Sequence, residues 1–122
     1  MSFAEDSKGI IWIGTFFSGL YSYDIKKNKL THHNSLDFKK YNINTSVIRK
    51  IIIDKKDNIW IGTRSGLYQI KKINNNYSIT PFNERFESIL GENVNYTIVF
   101  SLFEDKNNDI WIGSLDYGLF KF

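Results

Sequence analysis

Apolar and polar positions are arranged in blocks along the chain, and the blocks recur. A β-branched or aromatic run is followed by a polar turn, a second run with the letters WIG, another turn and a run that begins GL. Short runs of this composition between turn residues indicate strands rather than helices. The pattern occurs three times, with Trp12, Trp60 and Trp111 spaced 48 and 51 residues apart. Self-similarity at this period indicates stacked structural units.

Each unit is predicted to hold four antiparallel strands, A to D. In the second copy, strand A is residues 47–54, strand B is the IWIGT run, strand C begins GLYQIK and strand D is residues 77–82. The corresponding strand D of the first copy is residues 29–33, and strand A of the third copy is residues 97–105. Asp- and Asn-rich turns join A to B. The glycine of each GL pair is predicted to supply a positive φ or a close approach between B and C.

The apolar residues of strands A and B face both sides of the sheet, as in Ile51–Ile53 and Ile10–Ile13. Both faces must therefore be covered, and we identify no helical segments that could serve as cover. The natural cover is another copy of the same sheet, which predicts an all-β fold made of β-propeller blades, each a four-stranded antiparallel meander. A long sandwich or a β-solenoid is the structural alternative. Under either arrangement, each tryptophan is expected to be a packing anchor rather than a ligand-stacking residue.

The chain is predicted to form an incomplete propeller of about two and a half blades. Residues 1–34 form blade 1 with a truncated strand A, residues 47–82 a complete blade 2, and residues 97–122 a truncated blade 3. Apolar sheet faces are then expected to be exposed at both ends. We expect a fragment of a longer protein, in which the remaining blades and downstream signalling domains are partners. The alternative is a homo-oligomer that closes a ring.

The repeated letters D-x-x-G-x-x-W-I-G-T-x-x-x-G-L-Y resemble the two-component regulator propeller repeat. The resemblance covers residues 3–24, 47–70 and 97–122, with Gly9 replaced by Asn58 and Asp109 in the later turns and threonine replaced by Ser114. It implies a periplasmic sensor region of a bacterial hybrid two-component receptor, ahead of a membrane span and a histidine kinase. Receptors of this family in several gut and environmental bacteria respond to polysaccharide breakdown products, which implies an oligosaccharide ligand.

Composition narrows the function classes. A net charge of +3, from 16 basic and 13 acidic residues without a long like-charge run, gives no electrostatic footprint for nucleic acid or for a membrane surface. The absence of cysteine excludes disulfides and thiol nucleophiles. No signal peptide or membrane-length apolar segment is present in these residues.

The candidate binding residues lie on loops. In a four-stranded meander, the B–C turns and the D–A connectors share one end of the sheet, and here they vary between copies. Non-repeated aromatic and charged residues suit a carbohydrate ligand, and the alternative is surface variation with local packing. The connectors, residues 35–46 and 83–96, are polar with scattered aromatics. The predicted ligand-binding residues are Phe16, Phe17, Arg64, Asp116 and Tyr117.

The catalytic and metal alternatives are weaker, and we predict no enzyme, no cofactor and no metal site. Asp6 precedes Trp12 by six residues rather than the five of a sialidase-type Asp-box, and adjacent His32 and His33 should point to opposite faces. The run DKNND resembles a calcium loop but lacks its glycine and glutamate. The rival classes are a glycoside hydrolase or lyase, which would show turnover, and a protein-interaction scaffold, which would bind no small ligand.

Overall fold

The computed structural model describes residues 1–91 and 97–122, which fold into three antiparallel sheets. Within each sheet the strands lie in chain order, so that each is a meander, and this confirms the predicted fold class. We call the sheets blades 1, 2 and 3. Blade 1 contains Ser2–Glu5 (β1), Ile10–Gly14 (β2), Leu20–Asp24 (β3) and Lys29–His32 (β4). Blade 2 contains Ile48–Ile53 (β5), Ile59–Thr63 (β6), Gly66–Ile73 (β7) and Asn76–Pro81 (β8). Blade 3 contains Val99–Glu104 (β9), Ile110–Ser114 (β10) and Gly118–Lys121 (β11).

The hydrophobic core lies between the blades. One cluster joins blade 1 to blade 2 around Trp12, and a second joins blade 2 to blade 3 around Trp60. Every residue of β6 in the middle blade is buried, as expected for a strand covered on both faces. Trp12 and Trp60 are 2% and 6% exposed, which confirms that these two tryptophans are packing anchors.

The outer faces of the terminal blades are apolar and exposed. Phe3 and Leu30 on blade 1 are 59% and 60% exposed, and Phe103 and Leu119 on blade 3 are 64% and 66% exposed. Trp111 lies on the same outer face as Phe103, its cross-strand partner, and is only partly buried. The Lys121 ammonium lies 5.6 Å from the centroid of its ring.

The expectation of no helical segments is wrong, because the connectors carry two short helices and a 3-10 turn. Helix α1 is Leu36–Lys40, the 3-10 turn is Ile43–Thr45, and α2 is Asn83–Leu90. The connector aromatics Phe38 and Phe86 are 2% and 0% exposed, since each fills a space between two blades. These rings are therefore core residues rather than ligand contacts. The end of the second predicted connector, residues 92–96, lies outside the described residues.

The alignment of the A–B turns also needs correction. Gly9 has φ +81°, and the residues with the same left-handed conformation are Asp57 and Asn108, at +64° and +67°. The turn equivalents of Gly9 are therefore Asp57 and Asn108, three residues before each tryptophan, and not Asn58 and Asp109. Asp and Asn tolerate this conformation better than other non-glycine residues, which explains why the turn keeps its shape without glycine.

Candidate ligand-binding face

The A–B turn of every blade is organised by one aspartate. Its first carboxylate oxygen accepts backbone N–H groups two and four residues ahead, and its second accepts the indole N–H of the blade tryptophan. The indole bonds measure 3.1, 2.9 and 2.8 Å for Asp6, Asp54 and Asp105. Because the arrangement repeats in all three blades, we assign it to the fold rather than to ligand binding.

These hydrogen bonds also set the acidity of two of the carboxyl groups. Burial raises the pKa of Asp54, but hydrogen bonds from Trp60, Asn58 and Lys56 outweigh it and leave the pKa below its usual value. For Asp105 the indole of Trp111 is the main cause of a lowered pKa. Both oxygens of Asp105 are thus engaged by its own hairpin, whose construction matches the other two turns rather than a calcium loop.

The B–C turns share a different anchor, the side-chain hydroxyl group of the residue directly after the WIG sequence. Thr15, Thr63 and Ser114 each donate to the carbonyl of the turn glycine, at 2.9, 3.0 and 3.0 Å. Each hydroxyl oxygen also accepts a backbone N–H from within the turn. In the sequence, the only signal for this anchor is the threonine that follows WIG. The shared hydroxyl group explains why serine can replace this threonine in the third copy.

The connectors pack directly against the B–C turns. The Asn83 side chain donates to the Ser65 carbonyl at 3.1 Å and accepts from the Leu67 N–H at 3.4 Å. In blade 1, His32 Nε2 donates to the Ser18 carbonyl at 2.8 Å and more weakly to that of Asn44 at 3.3 Å. Turns and connectors therefore lie at one end of the blades, as the strand order predicted. We call this end the loop face.

The five predicted binding residues lie on the B–C turns and are exposed. Phe16, Phe17 and Tyr117 are 44%, 87% and 38% exposed, and Arg64 and Asp116 are also exposed. The rings of Phe16 and Phe17 meet edge to face with centroids 6.4 Å apart. The other three residues lie on the turns of blades 2 and 3, and no hydrogen bond or ring contact within residues 1–91 and 97–122 joins the three turns through these side chains.

The residues weighed for catalysis lie apart from each other. The His32 ring stacks on Tyr21 with centroids 4.4 Å apart, whereas His33 stacks on Trp12 at 4.9 Å, so both histidines take packing positions. Arg49 lies over Phe100 and Arg85 over Phe122, each at 4.4 Å, while Arg64 occupies an exposed turn. Across the described residues, no three acidic or histidine side chains are grouped so that they could hold a metal ion.

The chain forms three antiparallel meanders, and a tryptophan is buried between each pair of successive blades. The turns at one end of the blades share one construction, whereas the tips of the turns at the other end vary. This arrangement defines a propeller repeat protein. The model of the two component regulator propeller family matches residues 1–17, 42–65 and 93–116, which together are more than half of the chain. The chain belongs to the two component regulator propeller family.

The chain is similar to a histidine kinase and to extracellular domains of hybrid two component systems. The chain is 32% identical over 63 residues to histidine kinase P4 of Formosa agariphila. This alignment covers 52% of the chain and 5% of the kinase. The extracellular domain of BT4673 from B. thetaiotaomicron, described as a hybrid two component system, matches with a TM-score of 0.73 and 28% identity. That of BT3049 from the same organism matches with a TM-score of 0.64 and 25% identity.

The chain corresponds to a small part of each relative. The two structural matches cover 99% of this chain but only 15% and 16% of the matched extracellular domains. Within the part of the chain that the structure describes, no helix is both long and apolar enough to cross a membrane.

Proposed function

We propose that this chain forms part of the periplasmic sensor region of a two-component receptor, and that its loop face binds an oligosaccharide. The observation that carries the proposal is the contrast within the B–C turns. Each turn has the same hydroxyl anchor and glycine, yet exposes different side chains at its tip. A repeated frame with non-repeated tips is the arrangement expected where a rigid scaffold presents recognition residues.

The chemistry of the tips favours a sugar. Phe17 and Phe16 present an exposed pair of rings against which the apolar face of a sugar can pack. Arg64 and Asp116 supply a donor and an acceptor for hydroxyl groups. The hydroxyl anchors hold the turns in place, so little conformational entropy is lost when a ligand binds.

The site transmits its signal through the blades. Ligand bound across the turns favours one arrangement of the blades or of a receptor dimer, and the kinase across the membrane reads the shift in this equilibrium. The periplasmic location agrees with the extracellular domains to which the chain is similar. This role makes the propeller a binding module, so bound oligosaccharide leaves the protein unchanged.

Calorimetry with a panel of oligosaccharides tests the proposal. The variant Phe16→Ala/Phe17→Ala/Tyr117→Ala is expected to lower affinity at least tenfold for the oligosaccharide that binds, since it removes the three exposed rings of the B–C turns. The control Ile73→Ala changes an apolar residue that is 55% exposed at the opposite end of blade 2. Affinity should not change in this control.

The rival functions give different results in the same samples. Unchanged affinity in the triple variant would rule out the loop face as the site. Hydrolysis or elimination products in the sample would identify an enzyme. A folded protein that binds no oligosaccharide but captures a protein partner would identify an interaction scaffold.

A further inference from the structure

A cavity lies at the outer rim of the blades, and its lining contains none of the five predicted binding residues of the loop face. It has a volume of about 550 Å³ and lies between the end of blade 1 and the β7–β8 hairpin of blade 2. Its walls are the residues that follow β4, the start of α1, and Asn75, Asn76 and Tyr77. This volume is within the range of about 300–1,000 Å³ that small-molecule sites occupy.

The floor of this rim cavity contains a buried imidazole. His33 is 6% exposed and contacts Trp12, Phe38 and Tyr77, with ring centroids 4.9, 5.1 and 5.3 Å away. Its Nε2 lies 2.8 Å from the Ser22 hydroxyl, which is also buried. Burial, assisted by the charge of His32, lowers the pKa of His33 to about 4, so the ring is neutral at pH 7.

Blade 2 shows that the fold does not need a histidine here. The residue equivalent to His33 is Phe82, because both backbone N–H groups donate to the leucine carbonyl of the GL pair, at 3.0 and 2.9 Å. Both rings also pack on their blade tryptophan with centroids 4.9 Å apart. The strand partner of the tryptophan is Ser22 in blade 1 and Gln69 in blade 2.

Blade 1 therefore buries an imidazole where blade 2 has an apolar ring, and Ser22, at the position of Gln69, is its hydrogen-bond partner. Burying an imidazole and a hydroxyl costs free energy that phenylalanine avoids, and one mutual hydrogen bond recovers only part of it. Both groups line the rim cavity. A buried imidazole that the packing does not require, hydrogen-bonded to a serine beside a cavity, points to a bound molecule.

The remaining lining residues define the chemistry of that molecule. Asn34, Asn75 and Asn76 supply amide donors and acceptors, Thr31 a hydroxyl, and Asp37 the carboxylate. Among the described residues no lysine or arginine lines the cavity, so a phosphate or sulfate group would find no cationic partner. Half-buried Tyr77 adds an aromatic surface.

We propose that the rim cavity binds a small uncharged polyhydroxylated molecule of monosaccharide or disaccharide size. Its hydroxyl groups exchange hydrogen bonds with the asparagine amides and with the Ser22–His33 pair, and its apolar face contacts the ring of Tyr77. The cavity is a second site, and its existence does not depend on the loop face binding an oligosaccharide.

Saturation-transfer NMR and calorimetry with neutral monosaccharides and disaccharides, and with the matching uronates, test this site. The variant His33→Phe copies blade 2, so it should remain folded, as thermal unfolding would verify, while affinity for the neutral sugar falls at least tenfold. Asn75→Ala should have a similar effect. Asn107→Ala makes the same change in an exposed turn of blade 3 and should leave affinity unchanged.

Each outcome decides the question. Loss of neutral-sugar binding in folded His33→Phe and Asn75→Ala, with binding kept in Asn107→Ala, supports the rim cavity. Absence of neutral-sugar binding by the unmodified protein, or preference for the uronates, overturns the proposal. Binding that survives in His33→Phe but disappears in Phe17→Ala overturns it as well, and would place the sugar on the loop face instead.

Discussion

At the scale of single residues, the aspartate before each A–B turn links local and tertiary structure. Asp54 accepts the N–H groups of Lys56 and Asn58 within the turn and the indole N–H of Trp60 in the inter-blade core. One carboxylate thus closes a hairpin and fixes the rotamer of the largest packing side chain. This double duty explains why aspartate recurs six residues before each tryptophan.

Replacement of Asp54 by alanine is expected to lower the free energy of unfolding by about 1–3 kcal/mol, because several partly buried donors lose their acceptor. Asp116→Ala is the matched control, since this exposed carboxylate makes no hydrogen bond among those described, and its effect should stay within about 0.5 kcal/mol. Urea denaturation measures both values. Equal effects of the two substitutions would show that the turn aspartate does not organise the blade.

His33 gives the protein a stability that depends on pH. The folded state holds this pKa at about 4, against 6.5 for the unfolded chain. The unfolded chain therefore binds a proton first as the pH falls, so stability is fully present above pH 6.5 and decreases between 6.5 and 4, by at most about 3 kcal/mol. His33→Phe should lose this component. We expect the unfolding free energies of the two proteins to diverge between pH 4.5 and pH 7, measured in urea.

The carboxyl groups titrate in both proteins, so their contribution to the pH dependence of the unfolding free energy cancels when the unmodified protein is compared with His33→Phe. His32, Tyr77 and Asp37 are the other titratable groups beside the ring or the rim cavity, and both proteins retain them. Parallel pH profiles for the two proteins would mean that His33 is solvated in solution.

At the scale of structural elements, the B–C turn and the connector form one unit. Gly19 has φ +75°, and a side chain there would collide with the backbone of Ile43 and Asn44. Gly118 has nearly the same φ, +78°, but has no neighbour within 4 Å. A side chain at Gly118 would therefore meet backbone strain alone, whereas one at Gly19 would meet the same strain and also a collision with the connector.

Gly118→Ala is expected to cost about 1–2 kcal/mol of folding free energy, the penalty of a left-handed conformation for a residue with a Cβ. Gly19→Ala should cost clearly more, because the connector must also move away from the turn. Thermal and urea unfolding measure the difference. If Gly19→Ala destabilises no more than Gly118→Ala, then the connector is not packed on the turn in solution.

The strands could be predicted from the sequence because the repeat supplies three readings of one pattern. Strand B of blade 2 is found at the predicted residues, and the predicted positive φ of Gly19, Gly66 and Gly118 is confirmed. The A–B turns could be aligned correctly from the sequence as well, because Gly9, Asp57 and Asn108 each stand three residues before the blade tryptophan. The positive φ of these three residues confirms the alignment.

The connectors were less predictable, for physical reasons. Helix α1 has only five residues, too few to show a helical period. Helix α2 carries a weak signal, since Phe86 and Leu90 are four residues apart and both pack in the second core. Whether Phe38 and Phe86 are buried depends on neighbouring blades, which local sequence does not encode. His33 of blade 1 occupies the position that Phe82 has in blade 2. This equivalence likewise becomes visible only when the blades are superposed by their hydrogen bonds.

At the scale of the whole molecule, the terminal faces repeat the chemistry of the buried ones. Trp111 lies on the outer face of blade 3 where Trp12 and Trp60 meet a following blade. Phe3 and Ile13, paired on blade 1, correspond to Ile51 and Ile61 on the face of blade 2 that packs against blade 1. The array thus presents one half of a blade interface at each end.

Protection from hydrogen exchange should follow this architecture. The amides of β6 are central in the only blade that is covered on both faces in the described structure, and they should exchange most slowly. Those of β4, an edge strand with two exposed and two partly buried residues, should exchange much faster. Hydrogen exchange followed by mass spectrometry would show the ranking. Equal protection of the two strands would contradict an inter-blade core as the source of stability.

We propose that the repeated frame makes the fold and that the variable turn tips recognise the ligand. The turns of blades 1 and 3 have equal length between hydroxyl anchor and glycine, so the tip FFS can be replaced by LDY. The deciding measurement is the oligosaccharide affinity of the variant F16L/F17D/S18Y beside that of the unmodified protein. We expect unchanged thermal stability and an affinity at least tenfold lower. Unchanged affinity in the folded variant would show that the turn tips do not recognise the ligand.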